Sequence, residues 1–391
     1  MPSRSEAENA LELGTAPAAQ LELTPFGLPS DTGGKDLGVF LPIANGGWIM
    51  SRSKPEIDGS YDYCRASAVL AEQHGLDFAM AMAKFRGYGG ETRHWDEQLD
   101  SFLTVAGIAE ATSKVKVWGT IHTLLQNPAV AAKMVATLDQ ISHGRSGLNV
   151  VTGSYRGEFD QMGAWPENVG HDQRYDLAQE WIRAIKGLWN EDSVTQHGDY
   201  FRLDDCQSWP KPSTRPFLVC AGTSKQGMAF TSAEMDAIFL YGGQHEKLKR
   251  ESEAAKADAA AVGRSIRTYS MMTVVFGESD AEADEKVQAI REGFDEGALA
   301  GMMRAYGFLD SEIGKENDFT RKARSGFMAP HVAGSPETVL AYLTDLFEIS
   351  GSDGLMLIFD DYMKGIPTFG QKVLPVLRER FPAGEKVPVH G

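Results

Sequence analysis

The sequence predicts an α/β protein, a (β/α)8 TIM barrel with insertions, and three observations support this prediction. Eight short apolar segments recur along the chain of 391 residues. Their apolar residues scarcely alternate with polar ones, which is typical of parallel strands that are buried on both faces. Amphipathic segments with helical spacing lie between them. Eight strands that alternate with helices indicate a barrel.

An open, doubly wound sheet is the alternative fold for such a pattern. Sheets of that kind usually carry a glycine-rich nucleotide-binding fingerprint directly after the first strand. Here the first predicted strand leads into Asn45-Gly46-Gly47-Trp48, which does not match that fingerprint. No phosphate-binding motif of the P-loop type occurs either. The sequence therefore favours the barrel.

The elements are predicted from apolar composition, helical spacing and capping residues. The predicted strands cover residues 37–43, 78–82, 115–120, 147–151, 217–221, 237–240, 268–276 and 355–359. The predicted helices cover residues 62–74, 97–112, 128–142, 173–189, 224–234, 246–262, 281–294, 336–349 and 369–381. Gly75 follows the first helix, where a glycine commonly ends a helix.

Three segments lie outside this repeat. Residues 1–36 are rich in Ala, Glu, Pro and Gly and lack sustained periodicity, so we predict a flexible N-terminal arm before a barrel domain of residues 37–391. Residues 197–201 have the composition of a hairpin tip. Residues 295–334 contain no clear strand, and we predict a lid insertion there. A surface excursion without a role is the alternative for this insertion.

Composition and charge exclude several classes of protein. A formal net charge of -16 argues against nucleic acid or an anionic membrane as the main partner. The three cysteines form no CxxC pair, and no apolar run is long enough to span a membrane. The nine histidines are scattered without a metal-binding motif, so no metal site is predicted. Together with the lack of a secretory signal, these features predict a cytoplasmic location.

Polar side chains follow several predicted strands where a barrel would place its active site. Lys84 and Arg86 alternate after the second strand, so one of them can face the barrel mouth. The third strand ends at Thr120, the fourth carries Asn149, and the fifth leads into Ser224 at the start of a helix. A free helix N-terminus at that last position would favour a phosphate group.

At these residues the chain resembles the bacterial-luciferase-like flavin monooxygenases, and most of all the pyrimidine oxygenases among them. The resemblance spans about residues 37–377. Its most specific blocks are Ala83-Lys84-Phe85-Arg86-Gly87-Tyr88-Gly89-Gly90, Asn149-Val150-Val151-Thr152-Gly153, Arg174-Tyr175, Cys220-Ala221-Gly222-Thr223-Ser224 and Phe359-Asp360-Asp361-Tyr362. Several blocks that match in order are strong evidence for a family and weaker evidence for a substrate.

The resemblance implies a site for reduced FMN. The residues that it implies bind the flavin are Ala83, Lys84, Asn149, Glu158, Arg174, Tyr175 and Ser224. It also implies catalytic roles for Thr120, Asn149 and Lys84, with Thr120 near the edge of the flavin where oxygen is activated. Most of these residues have a structural alternative: a solvated cation for Lys84, a β-branched barrel residue for Thr120, a turn cap for Asn149, a surface carboxylate for Glu158, a solvated helix face for Arg174 with Tyr175, and a helix cap for Ser224.

The predicted substrate pocket contains Met82, Trp118, Ser154 and Tyr155. The pyrimidine oxygenases carry tryptophan at the position of Ser154, so this chain lacks a large aromatic wall there. Either Tyr155 fills the space or the pocket is wider. This departure leaves room for a nitrogen heterocycle bulkier than uracil.

The resemblance implies a two-component monooxygenase that receives reduced FMN from an NAD(P)H:flavin reductase. The expected reaction uses O2 to oxygenate, and to open, a pyrimidine-like cyclic amide or N-heteroaromatic ring. Two alternatives remain, a sulfone or alkanesulfonate monooxygenase of the same family and a flavin-binding barrel without catalysis. A homo-oligomer, a dimer or a tetramer, is expected from the resemblance.

Overall fold

The computed structural model describes residues 27–384 except residues 154, 310, 314 and 317. The strands are β1 (Asp36–Phe40), β2 (Phe78–Met80), β3 (Lys116–His122), β4 (Ser146–Val151), β5 (Val194–His197), β6 (Arg202–Cys206), β7 (Phe217–Cys220), β8 (Ala237–Leu240), β9 (Arg267–Phe276), β10 (His331–Gly334) and β11 (Gly354–Phe359). The α-helices are Tyr61–Gln73, Ser101–Ala111, Pro128–Ser142, Arg156–Asp160, Gln173–Asn190, Lys225–Glu234, His245–Ala261, Asp280–Glu292, Glu296–Ala305, Asp318–Ala323, Pro336–Ser350, Tyr362–Thr368 and Leu374–Arg380.

Eight parallel strands close into a barrel. Their order is β1, β2, β3, β4, β7, β8, β9 and β11, and β11 pairs with β1 to complete the circle. Every strand that the sequence predicts contributes to this barrel, so the predicted fold class is confirmed. The open-sheet alternative is wrong, because a closed circle of pairings leaves no edge strand between β8 and β9.

Side-chain caps explain where the helices begin, including the helix predicted from residue 97, which begins at Ser101. The hydroxyl of Ser60 accepts a hydrogen bond from the backbone N–H of Tyr63, and Asp100 caps the next helix in the same way. The last helical segment starts at Tyr362, earlier than predicted, because the Asp361 carboxylate accepts bonds from two backbone N–H groups of its first turn. None of the described helices is long and apolar enough to cross a lipid bilayer.

Aromatic rings fill the lower part of the barrel. The rings of Phe78 and Trp118 stack with centroids 4.0 Å apart, and Phe217 and Tyr269 extend the stack. The Tyr269 hydroxyl donates a 2.6 Å hydrogen bond to Asp36 at the N-terminal end of β1. This packed interior leaves space for a ligand at the opposite end, where the strands end.

The described part of the predicted N-terminal arm is packed against the barrel. Pro29–Thr32 form a turn of 3₁₀ helix, and Leu28 is buried. The backbone N–H of Ser30 donates a 2.8 Å hydrogen bond to Asp36, and Arg267 forms an ion pair with Asp31. Residues 1–26 of the arm lie outside the described residues.

The insertion at residues 295–334 contains a strand, contrary to the prediction. β10 pairs in parallel with the second half of β9, from Thr273 to Phe276. Its sequence, His-Val-Ala-Gly, is too short and too small to be recognised as a strand. The hairpin expected at residues 197–201 is confirmed, since β5 and β6 pair antiparallel on either side of it.

Candidate active site

A cavity of about 440 Å³ opens where the barrel strands end. Its walls come from most of the loops that follow strands, as expected for a barrel enzyme. Nine of the predicted site residues line it, namely Met82, Ala83, Lys84, Thr120, Asn149, Tyr155, Glu158, Arg174 and Tyr175. Residues that are spread over about 90 positions of the sequence therefore line one cavity.

Thr120 and Asn149 form a polar pair on neighbouring strands. They are register partners of β3 and β4, and both side chains are buried. The Thr120 hydroxyl donates a 2.6 Å hydrogen bond to the carbonyl of Ala81 and accepts a 3.1 Å bond from Asn149 Nδ2. These bonds orient the amide, and they leave Asn149 Oδ1 without a partner among the described residues.

Lys84 and Glu158 form a buried ion pair at the cavity wall. Lys84 Nζ lies 3.1 Å from Glu158 Oε2, and the two side chains are 9% and 3% exposed. The other carboxylate oxygen of Glu158 accepts a hydrogen bond from the backbone N–H of Phe85. Burial lowers the pKa of Lys84, and the Glu158 carboxylate opposes this shift. Glu158 thus fastens the strand-end loop to the helix Arg156–Asp160.

Two tyrosine rings surround the same ammonium group. Lys84 Nζ lies 4.4 Å from the ring centre of Tyr155 and 5.1 Å from that of Tyr88. Such contacts stabilise a cation in a partly desolvated site. Of the two alternating cations, Lys84 therefore faces the cavity, and Arg86 points outward to an exposed position.

Arg174 and Tyr175 stand at another part of the rim. Arg174 Nη1 donates a 2.7 Å hydrogen bond to the carbonyl of Gly153, and the guanidinium lies 4.8 Å from the ring of Trp165. Its Nε–H is buried without a partner among the described residues. The Tyr175 hydroxyl covers Gly222, where an added Cβ would lie 2.9 Å from it.

Ser224 caps the helix Lys225–Glu234 beside this rim. Its hydroxyl accepts a 3.1 Å hydrogen bond from the backbone N–H of Gly227. Ser224 is not among the residues that line the cavity, whereas Cys220, Ala221 and Gly222 of the preceding loop line it. A phosphate at this rim would therefore lie closer to the loop of residues 220–222 than to the capping hydroxyl of Ser224.

Two predicted pocket residues need comment. Trp118 does not line the cavity, so this prediction is wrong. Trp118 points into the barrel, as Thr120 does. Because it precedes Thr120 by two residues on β3, it lies about 7 Å deeper, within the aromatic stack. Ser154 lies outside the described residues.

Several cavity residues escaped the sequence reasoning. They are Phe40, Trp48, Trp95, His171, Phe239, Met271, Tyr306 and Met356. Trp95 follows β2 in a loop, and Tyr306 belongs to the insertion. Neither has a local pattern that distinguishes it from a packing residue. An exposed aromatic in a long inserted loop is the only signal that could have suggested Tyr306.

The unpaired polar atoms of the cavity match the needs of a flavin. His122 Nε2 lies 3.2 Å from the carbonyl of Ala83, which leaves the buried Nδ1 as an acceptor without a described partner. Burial lowers the pKa of His122, which favours the neutral ring. Asn149 Oδ1 and Arg174 Nε are likewise buried without a described partner, so residues that line the cavity hold two acceptors and one cationic donor that are unpaired. A planar ring with N–H groups and an anionic tail fits this set.

Comparison with known proteins agrees with this geometry. Residues 36–353 match the family of luciferase-like monooxygenases. The pyrimidine monooxygenase RutA of Methylorubrum extorquens (strain PA1) is 36% identical, over 88% of this chain and 94% of its own length. The RutA protein of Acinetobacter baylyi is 35% identical, over 88% of this chain and 95% of its own length.

Solved structures share the same architecture. A riboflavin lyase, RcaE, solved with modified FMN and riboflavin, has a TM-score of 0.78 and 25% identity, over 91% of this chain and 94% of its own. The long-chain alkane monooxygenase LadA has a TM-score of 0.75 at 21% identity, over 89% and 92% of the two chains, and this likeness concerns the fold. The chain belongs to the luciferase-like monooxygenase family and is a flavin-dependent monooxygenase.

Proposed function

We propose that this protein is a two-component monooxygenase that uses reduced FMN and O2 to oxygenate, and to open, a nitrogen heterocycle. The observation that carries the proposal is the Thr120–Asn149 pair, which lies in the cavity wall and includes an amide oxygen without a partner among the described residues. The similarity to proteins named pyrimidine monooxygenases, at 36% identity, supports a cyclic amide or N-heteroaromatic substrate.

FMN would be held at two points. Arg174, Tyr175 and the loop at Gly222 would bind its phosphate, because a guanidinium and backbone N–H groups suit an anion. Ala83, Lys84 and Asn149 would contact its ring system. When bound and reduced, FMN supplies the electrons that activate O2 and allow one oxygen atom to reach the substrate. Glu158 would act through Lys84, since its own oxygens are already engaged.

The protein's own residues would position the reactants and exclude water. The buried Lys84 ammonium would stabilise negative charge that develops on the substrate or on oxygen, and it acts strongly because its surroundings are desolvated. The Thr120 hydroxyl and Asn149 amide would hold oxygen beside the flavin ring. Trp48, Trp95 and Tyr88 line the cavity and would limit the access of water.

Reduced FMN would come from a separate NAD(P)H:flavin reductase through transient contact. The chain resembles oxygenases that work in this way. A homo-oligomeric state, dimer or tetramer, stays a prediction.

Mass spectrometry of reaction products tests this function. The protein is supplied with reduced FMN, ¹⁸O-labelled O2 and a panel of pyrimidines, other N-heterocycles and alkanesulfonates. We expect a heterocycle product that carries one labelled oxygen atom. Labelled product from a sulfonate, with release of sulfite, would support the alternative monooxygenase instead. If the protein binds flavin but forms no substrate-dependent product, the result would support a flavin-binding barrel without catalysis.

Thr120→Val and Asn149→Ala test the polar pair. Both substitutions should reduce product formation by at least about tenfold, because each removes a member of the hydrogen-bonded pair that would lie beside the flavin ring. Thr120→Val also leaves Asn149 Nδ2 without its described partner, at a cost of about 1–3 kcal/mol in the free energy of unfolding, whereas the Ala81 carbonyl keeps its hydrogen bond from Ser101. Full product formation by both variants, measured with the same panel, would refute these roles.

A further inference from the structure

A second cleft adjoins the active-site cavity on the far side of two tyrosines. It has a volume of about 620 Å³ and lies between the loop after β2, the helix Arg156–Asp160 and the end of the helix Glu296–Ala305. The charged side chains that line it are Arg86, Arg156, Arg304, Asp96 and Asp160. We call this space the arginine cleft.

The arginine cleft and the cavity share a wall. Tyr88 and Tyr155 line both spaces, and their ring centres lie 6.4 Å apart with a tilt of 44°. Lys84 Nζ lies against both rings from the cavity side. A substituent that leaves the cavity between these residues would enter the arginine cleft. At this junction the Lys84 ammonium is paired with Glu158.

The acidic residues of the cleft already have partners. Asp160 Oδ2 accepts a 3.0 Å hydrogen bond from Arg156 Nε, and Asp96 accepts a 3.1 Å bond from the backbone N–H of Gly89. Arg86 differs from them. Its guanidinium makes a 3.3 Å hydrogen bond to the carbonyl of Gly157, and no carboxylate of the described residues lies within 4 Å of it.

Arg86 is an exposed cation in a protein whose net charge is negative. The chain has a formal net charge of -16, so most of its surface repels anions. In the arginine cleft, Arg156 is paired with Asp160 and Glu167, whereas Arg86 has no carboxylate within 4 Å among the described residues. Five glycines also line the cleft, at positions 87, 89, 157, 301 and 307, and at Gly89 and Gly307 the space that a side chain would take is open. The cleft therefore has both the charge and the room for an anionic group.

We propose that the arginine cleft binds the carboxylate of an anionic substrate whose ring occupies the cavity. The substrate class is then a nitrogen heterocycle that bears a carboxylate group. The inference rests on the proposed function, which identifies the ring that enters the cavity as a nitrogen heterocycle. Arg86 is the specificity-determining residue, because a guanidinium matches the planar fork of a carboxylate. A neutral pyrimidine would leave this part of the site unused.

Calorimetric titration with matched acid and neutral ligands tests the proposal. The pairs are orotate against uracil, uracil-5-carboxylate against uracil, and nicotinate against nicotinamide, each added to the protein with oxidised FMN. We expect at least one acid to bind about threefold to tenfold more tightly than its neutral partner. This preference should decline as the salt concentration rises, because the Arg86 side chain is exposed.

Two arginine variants locate the effect. Arg86→Gln should bring the two affinities of that pair to within about twofold and leave the affinity for FMN unchanged. Arg202→Gln is the matched control, since Arg202 is an exposed arginine of β6 and lines neither space. It should retain the full preference for the acid.

The proposal is overturned if no acid binds more tightly than its neutral partner, or if Arg86→Gln retains the preference. Loss of the preference in Arg202→Gln as well would point to net charge and would also overturn it. The proposed function is tested separately by oxygen consumption with reduced FMN. If the protein prefers the acids through Arg86 but consumes no oxygen, the proposal for the arginine cleft stands and the proposed oxygenase function is refuted.

Discussion

Asp360 shows how burial changes the acid–base behaviour of one side chain. It follows β11 directly and is buried beside Lys286. Burial raises the pKa of Asp360 from 3.8 to about 6. A raised pKa in the folded state means that folding favours the protonated carboxyl. The cost of keeping this residue ionised therefore appears as the pH rises from about 4 and is complete above about 6.

Asp360→Asn should remove this cost. The shift corresponds to about 3 kcal/mol, so the variant should be more stable than the parent by up to that amount at pH 7. At pH 4 the two proteins should have nearly equal free energies of unfolding. Urea denaturation at both pH values measures the difference, with exposed Asp258→Asn as the control. A difference that does not change with pH would contradict the assignment.

The ion pair of Lys84 and Glu158 should behave as a coupled unit. Glu158→Gln leaves a buried ammonium without its counter-charge and should cost about 3 kcal/mol in the free energy of unfolding. The double variant Lys84→Met with Glu158→Gln removes both charges and should recover part of this loss. Urea denaturation of the parent, the two single variants and the double variant measures the coupling. Strictly additive losses would show that the pair is not coupled.

At the scale of elements, the insertion helix Glu296–Ala305 rests on the loop that follows β2. A Cβ built on Gly301 would overlap the carbonyl oxygen of Tyr88, which belongs to the cavity wall. Asp295 caps the helix and also accepts a 2.7 Å hydrogen bond from the backbone N–H of Thr92. The insertion is therefore fixed to the site by close backbone contact.

Gly301→Ala should destabilise the protein, although alanine is normally the better helix former by about 1 kcal/mol. The overlap should cost roughly 1–3 kcal/mol in the free energy of unfolding. Gly297→Ala is the control in the same helix, because its Cβ would lie 3.0 Å from Gly90 Cα and needs only a small shift. Equal stabilities of the two variants in urea would show that the helix can move away from the loop freely.

At the scale of the whole molecule, FMN binding should stabilise the folded barrel. Free FMN at 100 times its Kd should raise the free energy of unfolding by about 2.7 kcal/mol.

Arg174→Lys should weaken FMN binding about tenfold and riboflavin binding much less, because only FMN carries the phosphate. Thermal unfolding and flavin fluorescence measure both effects. Arg183→Lys, an exposed position of the same helix, should change neither. Equal losses for FMN and riboflavin would remove Arg174 from the phosphate site.

The sequence by itself determined the succession of strands and helices. Strands buried on both faces need apolar runs, and each run of this chain became a barrel strand. Capping residues such as Ser224 marked helix starts for the same local reason. Thr120 and Asn149 were also accessible from sequence, because polar residues near the ends of adjacent parallel strands meet at one rim.

Only the tertiary structure decided which side chains meet across the loops. The pairing of Lys84 with Glu158, the depth of Trp118 in the barrel and the place of Tyr306 in the cavity wall depend on register and on the packing of distant segments. A local pattern states that a residue faces inward, but not at which depth or against which partner. The arginine cleft follows the same logic, since its arginines come from three separate segments that only the folded chain brings together.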